Sequence, residues 1–290
     1  MSYENPDVPH AVNVARGSPV AEFLRLVAAL LAVLLLCGAV LYLGGEHLAR
    51  HVPFALEQRW VGDRVLGFEA LVQRDADAGP EVEGYLQRLS DGLSATMRLP
   101  AGMHVRVHYA DAGVPNAFAT LGGHVVVTRG LLERMPSENA LAMVLAHEIG
   151  HVRARDPIAA LGGGASLALL LAAAGDDAGR LAPQVATLIQ RGHSRVAERR
   201  ADEAALEALE RFYGHAGGAA EVFRRLARES PFDSRLPSML ATHPSDDERI
   251  ARLEAAAEGW DATRQPLRPL ALPSGGPRRP PSTAGRRGDP

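Results

Sequence analysis

The sequence predicts an α+β fold: a helix-rich domain with a small antiparallel sheet, preceded by one transmembrane helix. Three observations carry this. Residues 24–43 form an apolar run interrupted only by Arg25, about twenty residues and long enough to cross a bilayer. Apolar side chains recur at three- and four-residue steps over residues 81–97 and 137–157, and further helices follow around residues 183–212 and 219–228. The period changes to alternation only between residues 103 and 128, so the strands are few and local.

Taken in order, residues 1–23 read as a disordered amino-terminal arm, in which residues 1–18 mix Pro, Asn and charges without periodicity. The apolar run of residues 24–43 reads as an uncleaved membrane anchor. The competing reading is a cleaved signal peptide, but the run exceeds the usual signal-peptide core, and Leu43-Gly44-Gly45 is a poor cleavage site. Cys37, preceded by bulky Leu36, reads as a small apolar residue rather than a lipid-attachment site. Arg16 and Arg25 on one side balance Arg50 and Arg59 on the other, so charge does not set the orientation. Residues 47–72 form a polar connection with no assigned elements. Val82, Tyr85, Leu86, Leu89, Leu93 and Met97 then make a packing helix, ended by Pro100.

From Met103 the pattern alternates. Val105, Val107 and Tyr109 face one way; His104, Arg106 and His108 face the other, where the two histidines read as solvated because four residues of strand span about 13 Å, too far to share an ion. Residues 115–120 and 124–128 read as two further strands joined by a Gly122-Gly123 turn. A sheet edge beside a metal site can hold an extended peptide by strand addition.

Residues 137–157 read as one helix. Ser137 caps its start, Glu138 lies in the first turn, Arg153 and Arg155 complement its end, and Asp156-Pro157 terminates it. Leu141, Val144, Leu145, Ile149 and Val152 form its apolar stripe. Within it stands His147-Glu148-Ile149-Gly150-His151. Two histidines four apart on a helix share a face, so both imidazoles can reach one zinc ion, with Glu148 beside them as the carboxylate used in amide hydrolysis. Such a short pattern also occurs on ordinary polar helix faces. Here the flanking residues are uncharged, and polar groups in apolar surroundings need a partner, so a third ligand is expected downstream.

Beyond Pro157, residues 158–174 are apolar but carry Gly162, Gly163 and Gly164, and read as a buried or membrane-apposed helix, with a second span as the alternative. The helix of about residues 183–212 carries Glu198, Asp202 and Glu203 on what could be a solvated face. Ser245 and Glu248 fit a capping box for a last helix, a structural explanation that His243 does not share. Residues 262–290, rich in Pro, Arg and Gly, read as a disordered tail. The formal charge of −3 and the absence of a basic, aromatic-interleaved stripe exclude nucleic acid as a partner, and the single cysteine excludes an intrachain disulfide or a cysteine-ligated zinc site. Oligomeric state is not legible.

The ordered set His147-Glu148-x-x-His151, Ser194-x-x-x-Glu198-x-x-Ala201-Asp202 and Thr242-His243-Pro244 with Arg249-Ile250 resembles the zinc metallopeptidases grouped with the CAAX prenyl protease and the membrane protease HtpX. Pro115-Asn116-Ala117-Phe118-Ala119 and Gly130-Leu131-Leu132 match the same family's strand region. The resemblance spans roughly residues 81–253 and implies a gluzincin (zincin-like) metallopeptidase fold for the domain of residues 46–261; lacking the several spans of those two proteins, the chain is more similar to the family's singly anchored or soluble bacterial peptidases. The resemblance implies one zinc ion held by His147, His151 and Glu198, with Glu148 as catalytic base, His243 near the tetrahedral oxyanion and Asn116 contacting the substrate backbone.

Among the acidic residues, Glu198 and Asp202 are four apart and share a face, whereas Glu203 is rotated away from Glu198 by about 140°. That division suggests Glu198 as the ligand and Asp202 as the acceptor of a hydrogen bond from the far nitrogen of a ligating histidine. The plainer alternative for Asp202 is an ion pair with Arg199 or Arg249. The expected activity is that of a membrane-anchored zinc endopeptidase acting on exposed or misfolded polypeptide, with a periplasmic catalytic domain on the bacterial inner membrane. A catalytically idle zinc-binding scaffold for unfolded chains would not need Glu148. An aminopeptidase would need an anionic pocket for the substrate amine, and no acidic motif close before His147 supplies one.

Overall fold

The computed structural model describes residues 18–62, 79–173, 194–228, 239, 243 and 247–272. At its centre is α5 (Glu138–Arg153), and every residue from Asn139 to Val152 is buried. A helix covered all round is a core helix rather than a one-sided surface helix. Its alanines and Gly150, between the larger apolar residues, let neighbours approach from every direction. Ser137 accepts a hydrogen bond from Ala140 N at 3.2 Å, so the cap lies where the sequence puts it. The other end differs. The helix breaks at Ala154 and Arg155, with Arg155 in the left-handed region at φ 63°, and Asp156-Pro157 opens α6 (Asp156–Ala173) instead of closing α5. Proline is tolerated in a first helical turn, so the pair serves as a start as readily as a stop.

On the near side of α5 lies α3 (Gly79–Met97), which buries Val82, Leu86, Leu89, Leu93 and Met97, the stripe read from the sequence. The sheet comprises β1 (Arg106–Ala110), β2 (Ala117–Ala119) and β3 (His124–Thr128), in the order β1-β3-β2. It is mixed, which corrects the antiparallel expectation: β2 and β3 pair antiparallel around a turn at Leu121–Gly123, but β1 and β3 run parallel. The connection after β1 carries the chain past the place that β3 then fills. A central strand is buried on both faces, and all five residues of β3 are buried, which is what the unalternating Val125-Val126-Val127 encodes. His108 also departs from expectation: its Nε2 lies 2.7 Å from Nδ1 of buried His124, so it is not simply solvated.

After α4 (Arg129–Leu132) and α5, the chain returns in α7 (Arg195–Tyr213), α8 (Glu221–Arg228) and α9 (Asp247–Ala256). α7 is capped by Ser194 and ends on Gly214 at φ 82°, a left-handed stop suited to glycine. It crosses α5 at Gly150, where an added Cβ would lie 3.2 Å from Ala201 Cα. That close approach brings the first turns of α7 against the histidine face of α5.

The apolar helix α1 (Pro19–Ala49) is longer than the expected span, so residues 19–23 are helical rather than part of an arm. Its most apolar window has a mean hydropathy of 2.8 and none of it is buried, which makes α1 a candidate membrane span. α6 packs along it through small residues: a Cβ on Gly45 would come within 2.5 Å of the Gly162 carbonyl oxygen. The connection of residues 47–72 contains α2 (Phe54–Val61). The tail differs from expectation as well. Residues through 272 are placed, with Leu270 and Leu272 packed on the core and Arg268 N donating to Asn139 Oδ1 at 2.8 Å. Residues 1–17 of the arm, residues 183–193 of the expected long helix, Ser245 of the capping box and residues 273–290 of the tail lie outside the described residues.

Candidate metal centre

His147, Glu148 and His151 project from α5 into a site completed by Glu198 of α7 and by His243, all of them buried. Ser194 caps α7 four residues before Glu198, so this carboxylate sits in the first turn, where the helix dipole favours negative charge. His147 Nε2 and His151 Nε2 lie 3.1 Å apart, and each is 3.3 Å from an oxygen of Glu198. His243 Nδ1 closes the group at 3.2 Å from His147 Nε2 and 3.0 Å from Glu198 Oε1. Donors around a tetrahedral zinc ion with bonds of about 2.0–2.1 Å stand about 3.3 Å from one another. The donor set therefore fits a metal ion: Glu198 Oε2, buried, has only long contacts of 3.3 Å to His147 Nε2 and Arg249 Nη1, and a cation between the donors would satisfy it more fully.

The electrostatics point the same way. Burial disfavours protonation of His151, but Asp156 and Glu198 outweigh it and raise its pKa to about 9. For His147, burial is likewise overcome by Asp202 and Glu198, and its pKa is raised. Burial would push Glu198 up, yet His147, His151 and His243 hold its carboxyl far below the usual carboxylate range. The site stabilises positive charge, which a metal cation supplies in place of the protons.

Each α5 histidine has its Nε2 in the site and its Nδ1 on an aspartate. His147 Nδ1 is 2.9 Å from Asp202 Oδ1, and Asp202 also accepts from Arg249 Nη2 at 2.7 Å and Nε at 3.0 Å. Both alternatives for Asp202 thus describe real contacts, and Arg249, with Arg252 at 3.4 Å, rather than Arg199 is its ion-pair partner. Arg199 instead meets Glu248 at 3.2 Å on the surface, and Glu203 is exposed. His151 Nδ1 is 2.9 Å from Asp156 Oδ2, a contact that sequence reasoning missed. Asp156 could be found from sequence only by knowing that the chain turns sharply at Ala154 and Arg155.

Glu148 stands beside the donors. Its Oε2 accepts from Ala119 N of β2 at 2.8 Å, and its Oε1 lies 3.4 Å from His243 Nε2 with no hydrogen-bond partner among the described residues. His243, expected only near the oxyanion, has one ring nitrogen among the metal donors and the other facing Glu148. It is held there by backbone bonds from His243 N to Met239 O at 2.7 Å and from Met239 N to Pro115 O at 2.9 Å. Asn116, next to Pro115, has its backbone fixed by Thr128, with Asn116 N donating to Oγ1 at 2.8 Å and Thr128 N donating to Asn116 O at 3.0 Å.

Comparison with known proteins gives the family. A protease HtpX homolog of Methylibium petroleiphilum is 30% identical over 279 residues, covering 79% of this chain and 95% of the relative. One from Polynucleobacter necessarius is 30% identical over 284 residues, covering 81% of this chain and 95% of the relative. A beta-barrel assembly-enhancing protease of Yersinia pestis is 34% identical over 151 residues, 47% of this chain, and there the match spans only 31% of the relative's length. The family model of peptidase family M48 matches residues 80–257, from the start of α3 through α9, so the chain belongs to peptidase family M48 and is a protease.

Proposed function

We propose that this protein is a membrane-anchored zinc endopeptidase that cleaves exposed or misfolded segments of polypeptide, with α1 as its anchor. The observation that carries this reading is the donor cluster of His147, His151 and Glu198, with the two Nε2 atoms 3.1 Å apart and each 3.3 Å from a different oxygen of Glu198, beside the carboxylate of Glu148. A zinc ion held by those three residues supplies a Lewis acid that makes water nucleophilic near neutral pH and polarises the scissile carbonyl. Glu148 accepts the proton from the attacking water and delivers it to the leaving amine. The Ala119 N–H fixes one of its oxygens and leaves the other free for that transfer. His243 donates toward the developing oxyanion through the ring nitrogen facing Glu148, and Asn116 and the edge strand β2 hold the substrate backbone in extended form.

Glu148→Gln leaves every zinc donor in place and removes the proton shuttle. The full chain in detergent should therefore keep about one zinc per protein and lose cleavage of an unfolded substrate by at least about 10²-fold. A chelator should abolish cleavage by the unaltered chain. Near-normal hydrolysis by Glu148→Gln would remove the mechanism.

The catalytic domain is assigned to the periplasmic side of the inner membrane, in envelope protein quality control. The supports are the candidate span at α1 among the described residues and relatives that include a beta-barrel assembly-enhancing protease. Protease added to spheroplasts should degrade the large domain; protection until the membrane is opened would reverse the orientation.

A further inference from the structure

The turn that follows the metal helix is clasped by the chain that leaves the membrane helix. Arg50, one residue past α1, places Nη1 2.9 Å from Asp156 Oδ1 and also donates to the Ala154 carbonyl. Arg155 donates to the Val52 carbonyl and pairs with buried Glu57 of α2, whose Oε1 in turn accepts from Gly122 N at 2.7 Å. Asp156 is 4% exposed, and its carboxylate has three partners: His151 Nδ1 at 2.9 Å, Arg50, and Arg200 of α7 at 2.8 and 2.9 Å. A carboxylate that accepts from the far nitrogen of a ligating imidazole fixes both its tautomer and its ring plane. It can do so only while held itself. Arg200 is half exposed, so of the two arginines Arg50, which also bonds the Ala154 carbonyl, grips the turn as well as the carboxylate.

We propose that Asp156 is the positioning residue for His151 and that Arg50, at the end of the membrane helix, acts through it, so that seating of the membrane helix on the catalytic domain tunes metal affinity. The inference rests on the zinc reading above. Its physical content is a chain of direct contacts from Arg50 through Asp156 to the His151 ring, whereas support of His147 comes from α7 and α9 and does not involve the membrane helix.

The test measures zinc dissociation constants of the full chain in detergent by competition with a chromogenic chelator, with thermal melts as a check on folding. Asp156→Asn, nearly isosteric, should bind zinc about 10- to 100-fold more weakly while remaining folded, and should lower kcat with little change in KM. Arg50→Ala, at a partly exposed site, should weaken zinc several-fold, with Arg50→Lys in between. The double variant should be no weaker than Asp156→Asn alone, because Arg50 acts through Asp156. Unaltered zinc affinity in Asp156→Asn overturns the proposal, as do losses that simply add in the double variant. An unaltered chain that takes up no zinc overturns the zinc reading instead, and that result is distinct from either.

Discussion

The two histidines of the metal helix are supported in the same way by different parts of the molecule. His147 leans on Asp202, and Asp202 on Arg249, which is 3% exposed and lies 4.3 Å above the Phe223 ring. All of those residues belong to helices of the catalytic domain. His151 leans on Asp156, and Asp156 on Arg50 and Arg200, both partly exposed, one of them just past the end of α1. The first support is buried deep in the domain. The second opens onto the junction between the domain and α1. Two imidazoles four residues apart on one helix thus meet different surroundings, and the contacts from the end of α1 lead to His151 through Asp156.

The largest effect should come from the one residue common to both sides. Glu198 contacts His147 and His151 at 3.3 Å each, so Glu198→Ala should reduce bound zinc from about one per chain to near zero, measured by metal analysis after dialysis. If zinc is retained in full and is lost in Asp202→Ala instead, the two carboxylates have the opposite roles.

Next in size is the buried side of the comparison. Asp202→Ala removes the acceptor for His147 and the shortest ion pair of Arg249, which keeps Glu198 Oε2 at 3.3 Å, so zinc affinity should fall by about 10- to 100-fold and stability by about 1–3 kcal/mol, the cost of losing a buried acceptor. Glu203→Ala, one residue along on the exposed side of α7, should change stability by less than about 0.5 kcal/mol. Comparable losses in both would mean that α7 tolerates no change at all, and would remove the case for Asp202 as a specific support.

A smaller effect should separate the two sides by pH. With zinc stripped, the folded-state pKa of His151 is about 9 against an ordinary value of 6.5. The fold then binds this proton more tightly than the unfolded chain does. The stability it contributes is complete below about pH 6.5 and is lost as pH rises through about 9. Melting temperature of the stripped chain should therefore fall across that window, and Asp156→Asn should flatten the fall by removing the partner that raises the pKa. The zinc-loaded chain should tighten its metal over the same window, because protons and zinc compete for the imidazoles. A melting temperature that rises with pH in the stripped chain would place the proton elsewhere.

Much of the site is legible in local spacing alone. The interval between His147 and His151 puts both imidazoles on one helix face, and the four-residue step from Glu198 to Asp202 does the same for the two carboxylates, because helical periodicity is a local property of the backbone. The length and hydropathy of α1 and the cap at Ser137 are local in the same sense. The parallel pairing of β1 and β3 is not legible, since register and neighbour order depend on which strand fills the central place. Asp156 reads as a helix stop because its sequence neighbourhood is that of a stop, and only the left-handed turn at Arg155 folds it back under His151. Residues 262–272 read as tail by composition, yet they pack because Phe212 and Tyr213 offer faces to the Arg268 guanidinium, at 5.9 and 4.9 Å, and Asn139 offers an acceptor to its backbone. The sequence by itself determined the elements and the chemistry they carry, because both follow from residue type and spacing over a few turns. Tertiary structure alone decided which arginine holds which aspartate, because partners such as Arg50 and Asp156 lie 106 residues apart and meet only when α1 packs on α6.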